Sequence, residues 1–310
     1  MERTLPSSIA ECLNAPDATL LDAQPAGRPR FALIRSMPKI VKFCLLVLLL
    51  FIAVGVCAPL LAPHDPAHQV LIDRLKPPLG VSGAIGRYPL GTDNLGRDIL
   101  SRLIYGTRIS LAIGFFGMFF GLLLGTTVGL LSGFSGGLLD EFLMFLVDTQ
   151  LAIPYIIVAL TGIAIFGTDL LVLMLLFGIA GWESYARLAR GMVLGARGNQ
   201  YVYAAHAIGA SRRRVLFRHI LPNIVAPLIV LATFQLTSII LLESSLSFLG
   251  VGVQPPTASW GSMVGVGRGY LNTAWWIAVF PGLAIVMVTM AVSLFGDCLR
   301  DALDPTLRAR

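Results

Sequence analysis

Long apolar runs follow one another along this chain from residue 40 onward, and they constrain its fold more than any single motif. They are Ile40–Leu61, Ile109–Leu131, Phe142–Phe166, Leu170–Tyr185, Ile224–Leu249 and Trp275–Phe295. A helix needs about 20 apolar residues to cross roughly 30 Å of hydrocarbon. The fourth run is the short one: Glu183 interrupts it, which predicts a helix that continues into water through Leu194. Backbone groups in hydrocarbon must be satisfied within the protein, and runs of this kind do so as helices. The expectation is an all-α integral membrane protein with six transmembrane helices. Only 13% of the residues are charged, whereas a soluble domain carries about 25%. The net charge of +6 comes from basic residues grouped between the runs. That is how membrane spans are flanked, and it argues for contact with membrane lipid and against a nucleic-acid partner.

The first run is 22 residues long. That is too long for the apolar core of a signal peptide, so it is expected to remain as an anchor. An even number of spans places both termini on one side. Arg3, Arg28, Arg30, Arg35 and Lys39 precede the first run, and Arg187, Arg190, Arg197, Arg212, Arg213, Arg214 and Arg218 lie between the fourth and fifth. The bias of Lys and Arg toward cytoplasmic loops then predicts that both termini and the fourth–fifth loop are cytoplasmic. Residues 62–108 carry Arg74, Lys76, Arg87, Arg97, Arg102 and Arg108 on the other side, where length and accompanying acids weaken the rule. The expected layout is a flexible cytoplasmic tail over 1–39, a first transmembrane helix over 40–62 and an extracytoplasmic loop over 63–107. A core of five helices over 108–297, with a cytoplasmic loop at 195–222, and a cytoplasmic tail over 298–310 complete it.

Ionisable residues inside spans are functional candidates by default. Asp148 lies about 9 Å from the cytoplasmic end of the third span and Glu243 about 28 Å from that of the fifth, at 1.5 Å per residue. They are too far apart to form one site. Asp148, Gln150, Glu243, Ser244 and Ser245 are the candidates for lining a translocation path, with interfacial anchoring or helix capping as the alternative for the two acids. Glu183 falls toward the inner face, and no charge is expected near the middle of any span. A carrier driven by protons or sodium would place carboxylates or broken helices there, so the energy source is expected to lie outside this polypeptide.

The chain has three lysines, Lys39, Lys42 and Lys76, followed by Ile40, Phe43 and Pro77. None can complete the Gly-Lys-Ser/Thr of a phosphate-binding loop, so no ATP site of that kind exists here and no catalytic residue is assigned. Cys44 and Cys57 sit in the first run, Cys298 follows the last, and Cys12 is in the polar tail, without CxxC spacing. They read as small buried side chains, and no metal site is expected. In Gly91–Asp98, Asp93, Asn94 and Asp98 read as turn formers and helix starters outside the membrane.

The segment between spans four and five runs Tyr201-Val202-Tyr203-Ala204-Ala205-His206-Ala207-Ile208-Gly209-Ala210-Ser211-Arg212-Arg213-Arg214-Val215-Leu216-Phe217-Arg218-His219-Ile220-Leu221-Pro222. It predicts two short helices hinged at Gly209. Ser211 would cap the second, whose Val215 and Leu216 form an apolar face beside a basic one, and Pro222 would open the next span. Such a helix could lie on anionic lipid or be gripped by a partner. The segment resembles the "EAA" loop of ABC-importer permeases, with Ala204, Ala205, Gly209, Leu221 and Pro222 in register. Tyr203 stands in the place of the acid and His219 in that of an aliphatic residue. Gly91–Asp98 with Ser101 and Arg102, Ser244–Gly252 with Pro255-Pro256, Ser259-Trp260-Gly261 and Gly296–Pro305 resemble the "C"-type subunit of the peptide/nickel branch of those permeases. This resemblance implies a type I ABC-importer fold in a bacterial inner membrane. It also implies a second homologous permease, two cytoplasmic ATPases that bind ATP and Mg, and an extracytoplasmic binding protein, with the 62–108 and Gly250–Tyr270 loops facing that protein. This chain itself would bind no cofactor. Ala204, Ala205, Gly209, Ala210, Ser211, Arg212, Arg213, Arg218, Leu221 and Pro222 would form the ATPase-coupling loop, and the cargo would be peptides or related small solutes.

Overall fold

The computed structural model describes residues 39–303 apart from Ile208. The expected flexible tail, with Cys12, and the terminal Asp304 and Pro305 lie outside the described residues. Among the described residues all regular structure is helical. Helix α1 is Lys39–Val56, followed by one more turn over Ala58–Leu61. Helix α2, Ile99–Ser135, has 37 residues, or about 55 Å of length. It starts well before its apolar run because the Asp98 carboxylate caps it, accepting from the N–H groups of Leu100 and Ser101.

The third and fourth runs are not the simple spans that their length suggests. The third divides into α3 (Gly137–Ala152) and α4 (Tyr155–Phe166), whose axes bend by 90°. Pro154 disfavours a helical residue before it, and Ile153 adopts an extended conformation at φ −98° and ψ 123°. The fourth divides into α5 (Leu170–Ile179) and α6 (Trp182–Arg197), joined through Ala180 and Gly181. Gly181 has φ +82°, a left-handed conformation costly for other residues. Next come α7 (Gln200–Ala207), a helical turn at Arg212–Val215, a π-turn at Leu216–Ile220, and α8 (Leu221–Phe248). A short helix α9 (Trp260–Gly267) precedes the last span, α10 (Trp276–Leu303). Five helical stretches are long and apolar enough to cross a membrane, and the bent α3–α4 pair makes the sixth. The protein is an all-α, six-span integral membrane protein.

The most extensive helix contact joins α2 to α6, and glycines make it possible. Gly117, Gly121, Gly125, Gly129 and Gly133 recur every fourth residue, which places them on one face of α2. A Cβ at Gly125 would lie 2.1 Å from the Trp182 carbonyl oxygen, and one at Gly129 would lie 2.3 Å from that of Ala186. The two backbones are therefore in direct contact, the small-residue packing by which helices associate in lipid. Near the start of α2, the Asp93 carboxylate accepts from the Leu95 and Arg97 N–H groups and pairs with the Arg97 guanidinium at 2.6 Å. The Trp276 indole N–H donates to the Thr92 carbonyl at 3.1 Å, fixing this turn to α10.

Candidate coupling loop and transport path

The segment from Gln200 to Pro222 is held from beneath and open above. Val202, Val215, Leu216 and Ile220 are buried in one cluster with Val193 and Ala196 of α6 and Ile224 of α8. Tyr203, Ala204, Arg213, Phe217 and Arg218 are exposed, Ala210 packs at the edge of the cluster, and Leu221 covers it from α8. Ala205 is on α7 and Arg212 in the turn beyond Gly209. Gly209 has φ +81°, with open space where a Cβ would stand. The backbone conformation, not crowding, is thus what a side chain there would oppose.

The segment has one independent short helix, not two. The turn at Arg212–Val215 passes through the π-turn directly into α8, so that Arg213–Phe248 forms one helical run. The Ser211 hydroxyl accepts from the Arg214 N–H at 3.4 Å at its start. Pro222 lies inside this run, where its ring would crowd the carbonyl four residues earlier in a regular α-helix. The wider π-turn just before it fits that irregularity. On the other side, Arg197 donates to the Gly133 and Phe134 carbonyls. It satisfies acceptors left free at the end of α2.

The path candidates separate into two places. Asp148 pairs with Arg187 of α6 at 2.8 Å, both side chains largely exposed. One turn nearer the loop, Arg190 grips Asp140 with two hydrogen bonds of 2.7 and 2.8 Å. Glu243, 1% exposed, lies far along α8 and is held by other means. Its Oε1 accepts from the hydroxyls of Ser247 at 2.8 Å and Ser259 at 2.7 Å. Ser259 caps α9, so this carboxylate joins α8 to α9. Trp260, expected in a loop facing outward, is fully buried, its N–H donating to the Ser110 hydroxyl. The hydroxyls of Ser244 and Ser245 donate to the carbonyls of Ile240 and Leu241, and both residues border a shallow hollow beside Phe248 and Val264.

Gln150 belongs to a different environment. It lines a cavity of about 400 Å³ where the breaks at Pro154 and Gly181 meet α8, together with Tyr155, Glu183, Ser184, Gln235 and Ser238. The Gln235 amide donates to the Gly181 carbonyl at 3.4 Å, and a Cβ at position 181 would come within 2.6 Å of that amide. Glu183 stands off the middle of the neighbouring span, which leaves the expectation of no charge at mid-span in place. Trp182, the neighbour of Glu183, meets α2 at Gly125, about 7.5 Å along the helix from the centre of the Ile109–Leu131 run. The sequence held the signal in Gly181 and Pro154, but nothing in it said that the two breaks would meet.

Residues 121–309 match the family described as binding-protein-dependent transport system inner membrane component. Residues 39–78 match the N-terminal TM domain of oligopeptide transport permease C. The di/tripeptide transport system permease protein DppC of Pseudomonas aeruginosa is 43% identical, over 85% of this chain and 87% of its own length. The dipeptide permease DppC of Escherichia coli is 41% identical over 88% and 91%. The glutathione permease GsiD of Pectobacterium atrosepticum is 40% identical over 85% and 86%. A solved inward-facing MetNI methionine ABC transporter shares the fold, with a TM-score of 0.51 at 21% identity, over 66% of this chain and 98% of that one. At such identity over so much of both lengths, the chain belongs to the family of binding-protein-dependent transport system inner membrane components.

Proposed function

We propose that this chain is a permease subunit of an ATP-driven importer, forms half of its translocation path, and carries di- or oligopeptides or closely related solutes. ATP and Mg bind on two separate cytoplasmic ATPases, a second homologous permease completes the path, and an extracytoplasmic binding protein delivers the cargo. Both termini and the Gln200–Pro222 loop are cytoplasmic in a bacterial inner membrane. The observation that carries the reading is the loop itself. Its inner face is anchored on α6 and α8 through Val202, Val215 and Leu216, while Tyr203, Arg213, Phe217 and Arg218 face outward together. That is the anatomy of an interface: aromatic residues and Arg on a fixed support. The coupling residues are Ala204, Ala205, Gly209, Ala210, Ser211, Arg212, Arg213, Arg218, Leu221 and Pro222, and the relatives supply the peptide class. Of the path candidates we retain Asp148, Gln150, Ser244 and Ser245. Glu243, committed to Ser247 and Ser259, serves as a tie between helices.

Broken spans are a feature that an ion-coupled carrier also displays, so the two readings must be separated by energy source. The complete transporter in proteoliposomes should accumulate labelled dipeptide only with ATP inside the compartment that holds the ATPases. A collapsed proton gradient should leave the rate unchanged. Accumulation by this chain alone, or driven by a proton or sodium gradient, refutes the importer reading.

A further inference from the structure

Two backbone breaks and a carboxylate oxygen without a partner meet in the cavity between α3, α6 and α8. Irregular backbone at membrane depth is tolerated where it is buried in protein or lines a water-filled cavity. Both the Ile153–Pro154 and the Ala180–Gly181 breaks border this one. Glu183 lines it too, and its Oε2 is buried without a hydrogen-bond partner. Arg187, one turn along the same helix, is committed to Asp148 at 2.8 Å. Tyr155 is no donor to Glu183 either, because its hydroxyl donates to the Leu176 carbonyl. Leaving a buried polar group unpaired costs about 1–3 kcal/mol, and more for a charge, so an arriving cation would find a ready acceptor. The remaining polar lining is neutral, consisting of the Gln150 and Gln235 amides with Ser184 and Ser238, and it includes no Lys, Arg or His. The volume, about 400 Å³, falls in the range of small-molecule sites.

Building on the peptide-importer reading, we infer that this cavity is a cargo station in which Glu183 receives the α-ammonium group of a peptide. Gln150 and Gln235 supply neutral donors and acceptors to the amide and carboxylate of the same molecule. Gly181 keeps the Gln235 amide at the mouth of the break, since any side chain there would displace it. The site selects cargo with a free ammonium end over anions, because it offers an acceptor for a cation and no cation for an anion.

The test uses the complete transporter in proteoliposomes, with labelled dialanine and its lactoyl analogue, in which a hydroxyl replaces the amine. For the unsubstituted complex, ATP-dependent uptake should favour dialanine. Glu183→Gln keeps the shape and removes the charge. It should lower dialanine uptake at least tenfold and shrink the preference over the lactoyl analogue toward unity, while Glu183→Asp restores most of both. A second measurement reads the site without transport. In a Ser238→Cys chain, a cationic thiosulfonate should label the new thiol faster than an anionic one, with the bias lost on Glu183→Gln. Undiminished dialanine uptake by Glu183→Gln overturns the assignment. So does an equal loss for both cargoes, or labelling without charge bias. Failure of the unsubstituted complex to require ATP overturns the importer reading instead, a result independent of residue 183.

Discussion

Replacing Gly125 by alanine tests the close packing of α2 against α6. The added Cβ would lie 2.1 Å from the Trp182 carbonyl oxygen and 2.7 Å from Tyr185 Cβ. Both neighbours sit on the first turns of α6, and one is backbone, which cannot rotate aside. Restoring even a 3.0 Å contact requires α6 to retreat by about 0.9 Å there, and a well-packed core resists such insertions with about 1–3 kcal/mol. Dispersion contacts along the seam weaken as well, since a gap of 0.5–1 Å forfeits roughly a quarter to a half of each. Against this stands the intrinsic preference of a helix for Ala over Gly, about 1 kcal/mol. Gly191, on α6 itself, supplies the control, because a Cβ there meets nothing within 4 Å. Gly191→Ala should leave thermal stability unchanged or raised, while Gly125→Ala lowers it, the pair differing by about 1–3 kcal/mol because the helix preference is common to both. Thermal unfolding of the purified protein in detergent measures the difference, and Gly129→Ala should follow Gly125→Ala. If Gly125→Ala and Gly191→Ala unfold together, the direct backbone contact is refuted.

Three further outcomes are expected. Gly209→Pro forces φ to about −65° where the chain adopts +81°. It should abolish ATP-dependent uptake while membrane insertion, followed by protease protection, stays normal. Glu243→Ala leaves the hydroxyls of Ser247 and Ser259 without their acceptor and should destabilise by about 1–3 kcal/mol. Combined with Ser259→Ala, the loss in thermal unfolding should be less than additive, as for partners in one network. Arg190→Ala breaks a two-bond, partly buried pair with Asp140, whereas Arg187→Ala breaks an exposed one worth about 0–1 kcal/mol. The first should lower the unfolding midpoint clearly and the second hardly at all.

The number of spans was legible because the cost of unsatisfied backbone in lipid makes apolar length a strong signal. The path of each span was not. Pro154, Pro227 and Pro281 all lie within long apolar runs, yet only at Pro154 does the chain turn through 90°, while α8 and α10 continue past theirs. A proline marks where a bend costs little, and the neighbouring helices decide whether it occurs. The small residues, glycine and basic face of the loop between spans four and five predicted a short exposed helix, but left lipid and a protein partner open as what it meets. The loop's junction with α8 was not legible, because a π-turn has no distinct composition. The four-residue glycine period of α2 was plain in the sequence, but its partner on α6 could be identified only in three dimensions. Glu243 was placed near the far end of its span by counting. Its role depends on Ser259, whose helix is too short to announce itself as a span.

The geometry also indicates how movement at the loop would reach the cavity. Helix α6 extends from Glu183, at the cavity, to Val193 and Ala196, which pack directly against the loop. Helix α8 leaves the same cluster at Ile224 and reaches the cavity at Gln235. The third wall, α3, carries Gln150 and is bound to α6 through Asp140 and Asp148. Helices α6 and α8 are thus fastened at the loop end about 15–20 Å from the polar groups they hold, while α3 is tied to α6 about 15 Å from Gln150 at Asp140 and about 3 Å from it at Asp148. The two long levers differ in stiffness. Helix α8 contains Pro227 between its two attachments, which removes one backbone hydrogen bond, whereas α6 has no proline and lies against the glycine face of α2. Under the proposed coupling, a pull on the loop would therefore be transmitted most faithfully along α6, and α6 is the helix whose first turn carries Glu183.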